Sequence, residues 1–324
     1  MTGPLLVTGG SGLLGSAVRE LYPQAVLLGS DHGDLRQFDV AKRMFQEIRP
    51  RRVLHFAGLV GGVKANAAQN SRFFEHNALI NTSVLSAARE LRIQKLVSVL
   101  SSCAFPIFPD RATTEEDLQS ALPYDGNAGY GYAKRMLDLH TRMAAKDEGL
   151  TWTTLTPVTM YGPHDSFDAE HGHVVGSLIR RCWDAKTTGS PYVVWGSGRA
   201  VRQFVFARDV AHVALNAVER DCEPTTTIIA PDAGITIKSL AEAIADVMAY
   251  TGPIIFDQRQ PEGVLVKQLH SAWFASRFQA FQFTDLRKGL QETVRWFVRH
   301  TSAAETAGCD AAVLAIRSEE TSHV

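Results

Sequence analysis

The sequence predicts an α/β fold, a doubly wound parallel sheet with a smaller C-terminal α/β part. Two observations predict it. Short apolar runs alternate with helical patterns along most of the chain, as in strands joined by helical crossovers. The first run, Pro4–Thr8, opens directly into a glycine-rich turn and then a helical pattern, Ser16–Leu21. Strand, glycine turn and helix in that order begin a Rossmann-type dinucleotide-binding unit.

In the turn Gly9-Gly10-Ser11-Gly12-Leu13-Leu14-Gly15, glycines recur at every third position from Gly9. Gly9 permits the tight turn, Gly12 lets the backbone approach a pyrophosphate, and Gly15 lets the helix pack on the strand. The helix N-terminus favours the phosphates. Ala25–Gly29 reads as the second strand, followed by Ser30-Asp31-His32-Gly33-Asp34-Leu35. An acidic residue here prefers a free ribose 2′-OH and a basic one a 2′-phosphate. Asp31 speaks against a 2′-phosphate if it points inward, whereas Ser30 and His32 could contact one. Asp34 reads either as a contact to the adenine edge or as a solvated loop carboxylate.

Asp39 is expected to cap a helix running through Ile48. Arg52–Ala57 reads as the third strand, opening into the glycine-rich loop Gly58–Asn66. A long helix spans Arg72–Leu91, and the fourth strand, Lys95–Leu100, runs into Ser101-Ser102-Cys103. If the chain stays extended there, Ser101 and Cys103 point to one side. Tyr130 and Lys134 follow at the mouth of a helix ending near Gly149. Residues four apart share a helix face, and a cation beside a phenol lowers its pKa.

Leu150–Thr156 reads as a strand. The loop His164–His173 is rich in titratable groups but lacks the spacing and cysteines of a zinc site, so no metal is expected. A helix from Val174 carries Arg180 and Arg181, and Tyr192–Arg202 reads as a strand and a basic turn. Then come a helix to Arg220, a strand Thr225–Ala230, a helix Ile235–Tyr250 opening at Thr236, a strand Ile254–Asp257, and a last helix capped by Asp285 and running to Arg299. The expected division is a nucleotide-binding domain over 1–160, rejoined by 204–232, a mainly substrate-binding part over 161–300, and a flexible tail over 301–324.

The 324 residues are 45% hydrophobic and 21% charged, with a net charge of −1. These values fit a soluble globular protein with no bulk attraction to nucleic acid or anionic membranes. No run approaches a membrane span and no secretory signal is evident. Cys103, Cys182, Cys222 and Cys309 are scattered, which points to a reducing compartment and a cytoplasmic location.

Together, the glycine turn, Ser101 and Tyr130-x-x-x-Lys134 resemble the extended short-chain dehydrogenase/reductase family. Val60–Asn66, Ser101–Pro106, Tyr161–Phe167, Gly172–Val174 and Val194–Gly198 resemble more closely its GDP-L-fucose synthase branch. The resemblance implies 3,5-epimerisation of GDP-4-keto-6-deoxy-D-mannose and reduction at C4 with NADPH, with NADH left open by Asp31. It implies catalytic roles for Ser101, Cys103, Tyr130, Lys134 and His173. Cofactor contacts would come from Gly9, Gly12, Leu13, Leu14, Gly15, Asp34, Leu35, Ala57, Ser101, Tyr130, Lys134, Pro157, Met160 and His173. Arg181, Trp195, Arg202 and Lys267 would hold the GDP-sugar. His270 stands where some members have Asp. The resemblance also implies a homodimer built from the helices near 73–91 and 130–147. Other readings are a 4-epimerase or 4-reductase, which would not need both Cys103 and His173, and a non-catalytic dinucleotide sensor. A 4,6-dehydratase would need a carboxylate where Ser102-Cys103-Ala104 offers none.

Overall fold

The computed structural model describes residues 3–220, 224–260, 262–271 and 273–301. Cys222, Cys309 and the expected tail beyond 301 lie outside them. The apolar runs form β1 (Leu5–Thr8), β2 (Val26–Leu28), β3 (Arg52–His55), β4 (Lys95–Val99) and β5 (Thr151–Pro157). After them, β6 (Thr159–Tyr161), β7 (Tyr192–Trp195), β8 (Val201–Arg202) and β9 (Phe204–Phe206) lie outside the main sheet, and β10 (Thr227–Ile229) returns to it. The order is β10-β5-β4-β3-β1-β2, parallel throughout. Parallel strands are covered on both faces, which is why β1 is apolar and buried along its whole length. Successive strands are laid to opposite sides of β1, so a crevice opens beyond the carboxyl ends of β1 and β3.

Helices α1 (Leu13–Leu21), α2 (Phe38–Ile48), α3 (Val63–Ala68), α4 (Asn70–Glu90), α5 (Ala128–Glu148), α6 (Val174–Thr188) and α7 (Ala207–Glu219) follow in order. One hydrophobic core includes the sheet, α1, α4, α5 and α7. A second gathers Val175, Ile179, Tyr192, Val194 and Leu290 with α8 (Ile237–Val247). There β7 pairs in parallel with β12 (Ile254–Asp257), and β8 pairs antiparallel with β11 (Ile235–Thr236). The short α9 (Phe274–Arg277) and a last helix over 286–301 complete the described chain.

Several local expectations change. Asp39 is not the cap of α2: Gln37 holds that position and Asp39 sits in the first turn, where the dipole favours a carboxylate. The glycine-rich stretch after β3 ends in helix α3 rather than staying a loop. Ile235 and Thr236 are strand residues, although Thr236 does cap α8, accepting from the Ser239 N–H at 3.0 Å. Asp285 caps the last helix, accepting from the Lys288 N–H at 3.2 Å.

A buried polar thread crosses the main core. His55 Nδ1 lies 2.8 Å from the Thr8 hydroxyl and Nε2 lies 3.1 Å from Asn81 Oδ1. The Asn81 amide nitrogen donates to the Ala133 carbonyl at 3.3 Å. The Asn81 oxygen is therefore the acceptor, His55 carries its proton on Nε2, and Nδ1 accepts from Thr8. Burial, and then the positive charge of Lys134, push His55 down to about 3.

An unfolded histidine takes up a proton near pH 6.5, and the folded one does not until about 3. Below pH 6.5 the unfolded state binds more protons, so this group removes stability as pH falls, by ~1.4 kcal/mol per unit. We expect His55→Gln to be less stable than wild type at pH 7.5 but to lose about 2 kcal/mol less between pH 7.5 and 5.0. Urea unfolding at both pH values reads this. Parallel pH slopes would show that His55 is not held neutral.

Candidate active site

At the nucleotide end, Gly9 has φ +74°, and a Cβ on it would stand 2.7 Å from the Ala57 nitrogen. A Cβ on Gly15 would lie 2.4 Å from the Gly9 carbonyl, whereas on Gly12 it would meet only that carbonyl, at 3.5 Å. Gly12 thus keeps an open side, and it is also the N-cap of α1. The first-turn amides of α1, at Leu13, Leu14 and Gly15, have no carbonyl of their own helix to bind. This cradle fits the diphosphate of a dinucleotide.

Beyond β2, the Asp31 side chain is 77% exposed and meets His32 at 2.9 Å, and its Oδ1 lies close to Gly29, beside Ser11 of the glycine turn. The Asp34 carboxylate is clasped by the Arg36 guanidinium, with contacts down to 2.7 Å. Arg36 carried no sequence-level role; only its nearness to Asp34 could have marked it. Leu35 is buried beside them, and Ala57 closes the end of β3, its N–H 3.4 Å from the Thr8 hydroxyl.

A cavity of about 340 Å³ opens beyond β4 and β5. Ser101, Cys103, Tyr130, Pro157, Met160, His173, Arg181, Trp195, Arg202 and Lys267 all stand on its wall. Ser101 and Cys103 meet there for a different reason from the one expected. Strand β4 ends at Val99, and residues Ser102–Ala104 form a 3₁₀ turn. Ser101 caps it, accepting from the Cys103 N–H at 3.2 Å. The tight turn, not strand alternation, brings both side chains to the cavity.

Tyr130 and Lys134 share a face of α5 as expected, but their electrostatics differ. Burial pushes the Tyr130 phenol well above its ordinary range, the nearby Cys103 adds to this, and a hydrogen bond with Ser101 opposes it. Burial pushes Lys134 down to about 8. Its ammonium donates to the Val99 carbonyl at 2.8 Å and lies 5.7 Å from the centre of the Tyr130 ring. The expected lowering of the phenol does not appear: desolvation dominates, and what opposes it is the Ser101 hydrogen bond rather than Lys134. The result is a neutral phenol, a hydrogen-bond donor at neutral pH.

Cys103 has two donors. Asn127 Nδ2 lies 3.0 Å from the sulfur and Lys267 Nζ lies 3.6 Å away. Asn127, the N-cap of α5, has no motif to mark it in the sequence beyond opening the segment that carries Tyr130. His173, the N-cap of α6, has Nδ1 3.3 Å from Asp165 Oδ1. That contact raises the His173 pKa above its ordinary value, while burial opposes the shift. The Arg181 guanidinium stacks 3.7 Å from the centre of the Trp195 ring and donates to the Ala169 carbonyl. Lys64 lies 5.7 Å from the same ring centre and 3.6 Å from Glu170. Arg202 donates to the Val201 and Val264 carbonyls at 2.7 and 2.6 Å. His270 is exposed, and its N–H donates to the Thr113 carbonyl at 2.9 Å. Among the described residues no cluster of three or more His, Cys, Asp or Glu could hold a metal ion.

The sequence pattern of the NAD dependent epimerase/dehydratase family matches residues 5–229. The chain is 31% identical over 313 residues to the GDP-L-fucose synthase of Dictyostelium discoideum, covering 93% of this chain and 97% of that protein. The chain belongs to the GDP-L-fucose synthase branch of this epimerase/dehydratase family. GDP-L-fucose synthase 1 of Arabidopsis thaliana is 32% identical over 305 residues, covering 91% and 93% of the two chains. The crystal structure of a GDP-L-fucose synthetase from Naegleria fowleri bound to NADP superposes with a TM-score of 0.85, at 33% identity over 93% of this chain and 96% of that one. Family membership and the glycine cradle agree on the nucleotide end of the molecule.

The cradle makes a sharp prediction. Gly15→Ala puts a methyl group into the Gly9 carbonyl, a backbone atom with no free rotamer. We expect a loss of about 1–3 kcal/mol of stability and at least tenfold weaker dinucleotide binding, read by thermal unfolding and by quenching of intrinsic fluorescence. Wild-type values in both would mean that α1 does not pack on the turn as described.

Proposed function

We propose that the protein is a GDP-L-fucose synthase, which inverts C3 and C5 of GDP-4-keto-6-deoxy-D-mannose and reduces C4 with NADPH. One observation carries this reading: Cys103 and His173 stand on the wall of the same cavity as Ser101 and Tyr130. A pure 4-epimerase or 4-reductase has no use for the first pair.

The C4 ketone acidifies the hydrogens on C3 and C5, because either carbanion is its enolate. Ser101 and Tyr130 hydrogen-bond the C4 oxygen and stabilise that enolate. Cys103 removes a proton from one side and His173 returns one from the other. Once both centres are inverted, Tyr130 gives its proton to the C4 oxygen. Bound NADPH supplies the hydride. Lys134, buried beneath the phenol, positions Tyr130 and holds the nicotinamide ribose. Gly9, Gly12, Leu13, Leu14 and Gly15 take the diphosphate, while Asp34, Leu35, Ala57, Pro157 and Met160 frame the rest of the cofactor. The preference for NADPH over NADH is supported by the likeness to the NADP-bound synthetase of Naegleria fowleri, not by Asp31, whose carboxylate lies beside Ser11 of the glycine turn. Arg181, Trp195 and Arg202 take the GDP-sugar. Lys267 reaches the diphosphate or sugar beside Cys103.

In this reading residues 1–160 with 204–232 hold the cofactor, and most of 161–300 holds the sugar nucleotide. A reducing compartment such as the cytoplasm keeps Cys103 as a thiol. No helix among the described residues is long and apolar enough to cross a membrane. The protein pairs as a homodimer through α4 and α5. Tyr132, Met136, Leu139 and Met143 stand exposed at helical spacing along α5, and Phe74 on α4 is exposed as well.

Purified protein with GDP-4-keto-6-deoxy-D-mannose should oxidise NADPH faster than NADH and yield GDP-L-fucose by NMR. Cys103→Ser and His173→Gln should each slow inversion by at least ~10²-fold, and Tyr130→Phe should slow reduction similarly. A product uninverted at C3 and C5 would sink the assignment of Cys103 and His173. Met136→Glu should convert a dimeric mass in light scattering to a monomeric one; a wild-type monomer at micromolar concentration would remove the dimer.

A further inference from the structure

The loop before α6 holds a carboxylate whose placement has a chemical consequence. The Asp165 side chain is 2% exposed. Its Oδ1 accepts from the Ser166 N–H at 2.8 Å and faces His173 Nδ1 at 3.3 Å, while Oδ2 is buried with no hydrogen-bond partner among the described residues. The loop lies tightly on the first turn of α6: a Cβ on Gly176 would stand 2.1 Å from the Ser166 carbonyl and 3.7 Å from Asp165 Oδ2. A buried carboxylate oxygen without a partner is costly, so a favourable contact elsewhere in the group must offset it. Lys64 on α3, Cys103, Tyr130 on α5, Glu170 in the loop and Arg181 on α6 share the cavity wall with His173. Among the described residues, hydrogen bonds and ion pairs join the imidazole to Asp165 and to none of these.

We propose that Asp165 is the positioning residue of the epimerisation step, fixing His173 with Nδ1–H toward the carboxylate and Nε2 free as the atom that exchanges protons with C3 and C5. This rests on the reading given above. Asp165 offers only an acceptor, so Nδ1 must carry hydrogen in either protonation state. The imidazolium then delivers the Nε2 proton to the enolate carbon and becomes a neutral Nδ1–H ring. In each inversion the Cys103 thiolate gains one proton and His173 loses one. A net transfer of one proton from thiol to imidazole resets the pair for the second centre. A raised His173 pKa keeps the donor form present further into the neutral range.

The test follows solvent deuterium into C3 and C5 of the keto-sugar without NADPH, from pH 6 to 9. Asp165→Asn keeps the shape and the acceptor oxygen and removes the charge. His173 needs its proton, so exchange is lost as pH rises through its raised pKa; without the carboxylate that loss begins at lower pH. We expect at least tenfold slower exchange at pH 8 and an alkaline limb displaced downward. Asp165→Asn combined with His173→Gln should be no slower than His173→Gln alone, because both act through one ring. An unchanged profile, or multiplied effects in the double variant, would overturn the proposal. Nitrogen-15 NMR of the wild-type imidazole tests it independently of whether a variant folds: neutral His173 must be the Nδ1–H tautomer, and an Nε2–H tautomer overturns it. A wild-type enzyme that exchanges neither hydrogen would instead sink the epimerase reading itself.

Discussion

A thread of hydrogen bonds through the main core governs how the two ends of the site relate. The Thr8 hydroxyl, the His55 ring and the Asn81 amide run from the last residue of β1 to the Ala133 carbonyl on α5. Thr8 immediately precedes the glycine cradle, and Ala133 immediately precedes Lys134. The thread thus joins the glycine cradle to the helix that carries Tyr130 and Lys134. Each member has a defined direction once the Asn81 amide is fixed by its donation, so the thread leaves His55 one tautomer. A protonated His55 would add a second positive charge near Lys134 in a dry interior, and neutrality of the ring is what makes the arrangement tolerable.

The same dryness sets the character of the reacting groups. Lys134 is buried and Tyr130 half-buried on the cavity wall, and desolvation moves each toward its neutral form, the phenol up and the amine down to about 8. An acid that must donate to a developing oxyanion benefits from a preorganised donor that water does not screen. Ser101 supplies a second donor, its direction fixed by the turn it caps. Two further groups of the cavity wall have polar neighbours of their own. His173 stands at the head of α6 beside a carboxylate, and Cys103 stands within reach of Asn127 and Lys267. In the proposed reading, carbon acids would exchange protons with Cys103 and His173, and the ketone oxygen would be held by Ser101 and Tyr130.

Much of this was legible in the sequence, and the misses share a cause. The order of strands and helices, the cradle glycines and the shared face of Tyr130 and Lys134 follow from local rules: apolar runs, φ requirements and helical spacing. Asp39 misled because a carboxylate stabilises a helix from the first turn as well as from the cap. Ser101 and Cys103 came together through a 3₁₀ turn that no periodicity announces. The depression of Tyr130 expected from Lys134 failed because spacing gives proximity but not burial, and desolvation decides the sign. Arg36, Asn127 and Asp165 acquire their parts only from contacts made when the chain folds. Each leaves only a faint local trace: Arg36 lies two residues from Asp34, Asn127 opens the segment of Tyr130, and Asp165 lies eight residues before His173 in a loop too polar for a core.

The assignment of two proton carriers to one cavity also explains why the second core is built as it is. Cys103 comes from the end of the main sheet, whereas His173 enters on α6, whose inner face packs Val175, Ile179 and Cys182 against Tyr192 and Val194. Neither core alone presents both groups. The stretch over 162–172 lies between them, and glycine at 172 and 176 lets its backbone settle on the head of α6, since a Cβ at either would strike a carbonyl of Ser166 or Asp168. The loop therefore has little freedom to adjust without moving His173. Inverting a carbon centre needs proton carriers on opposite faces of the sugar. In the proposed reading, a scaffold that draws one carrier from each core would set their separation by packing rather than by loop flexibility.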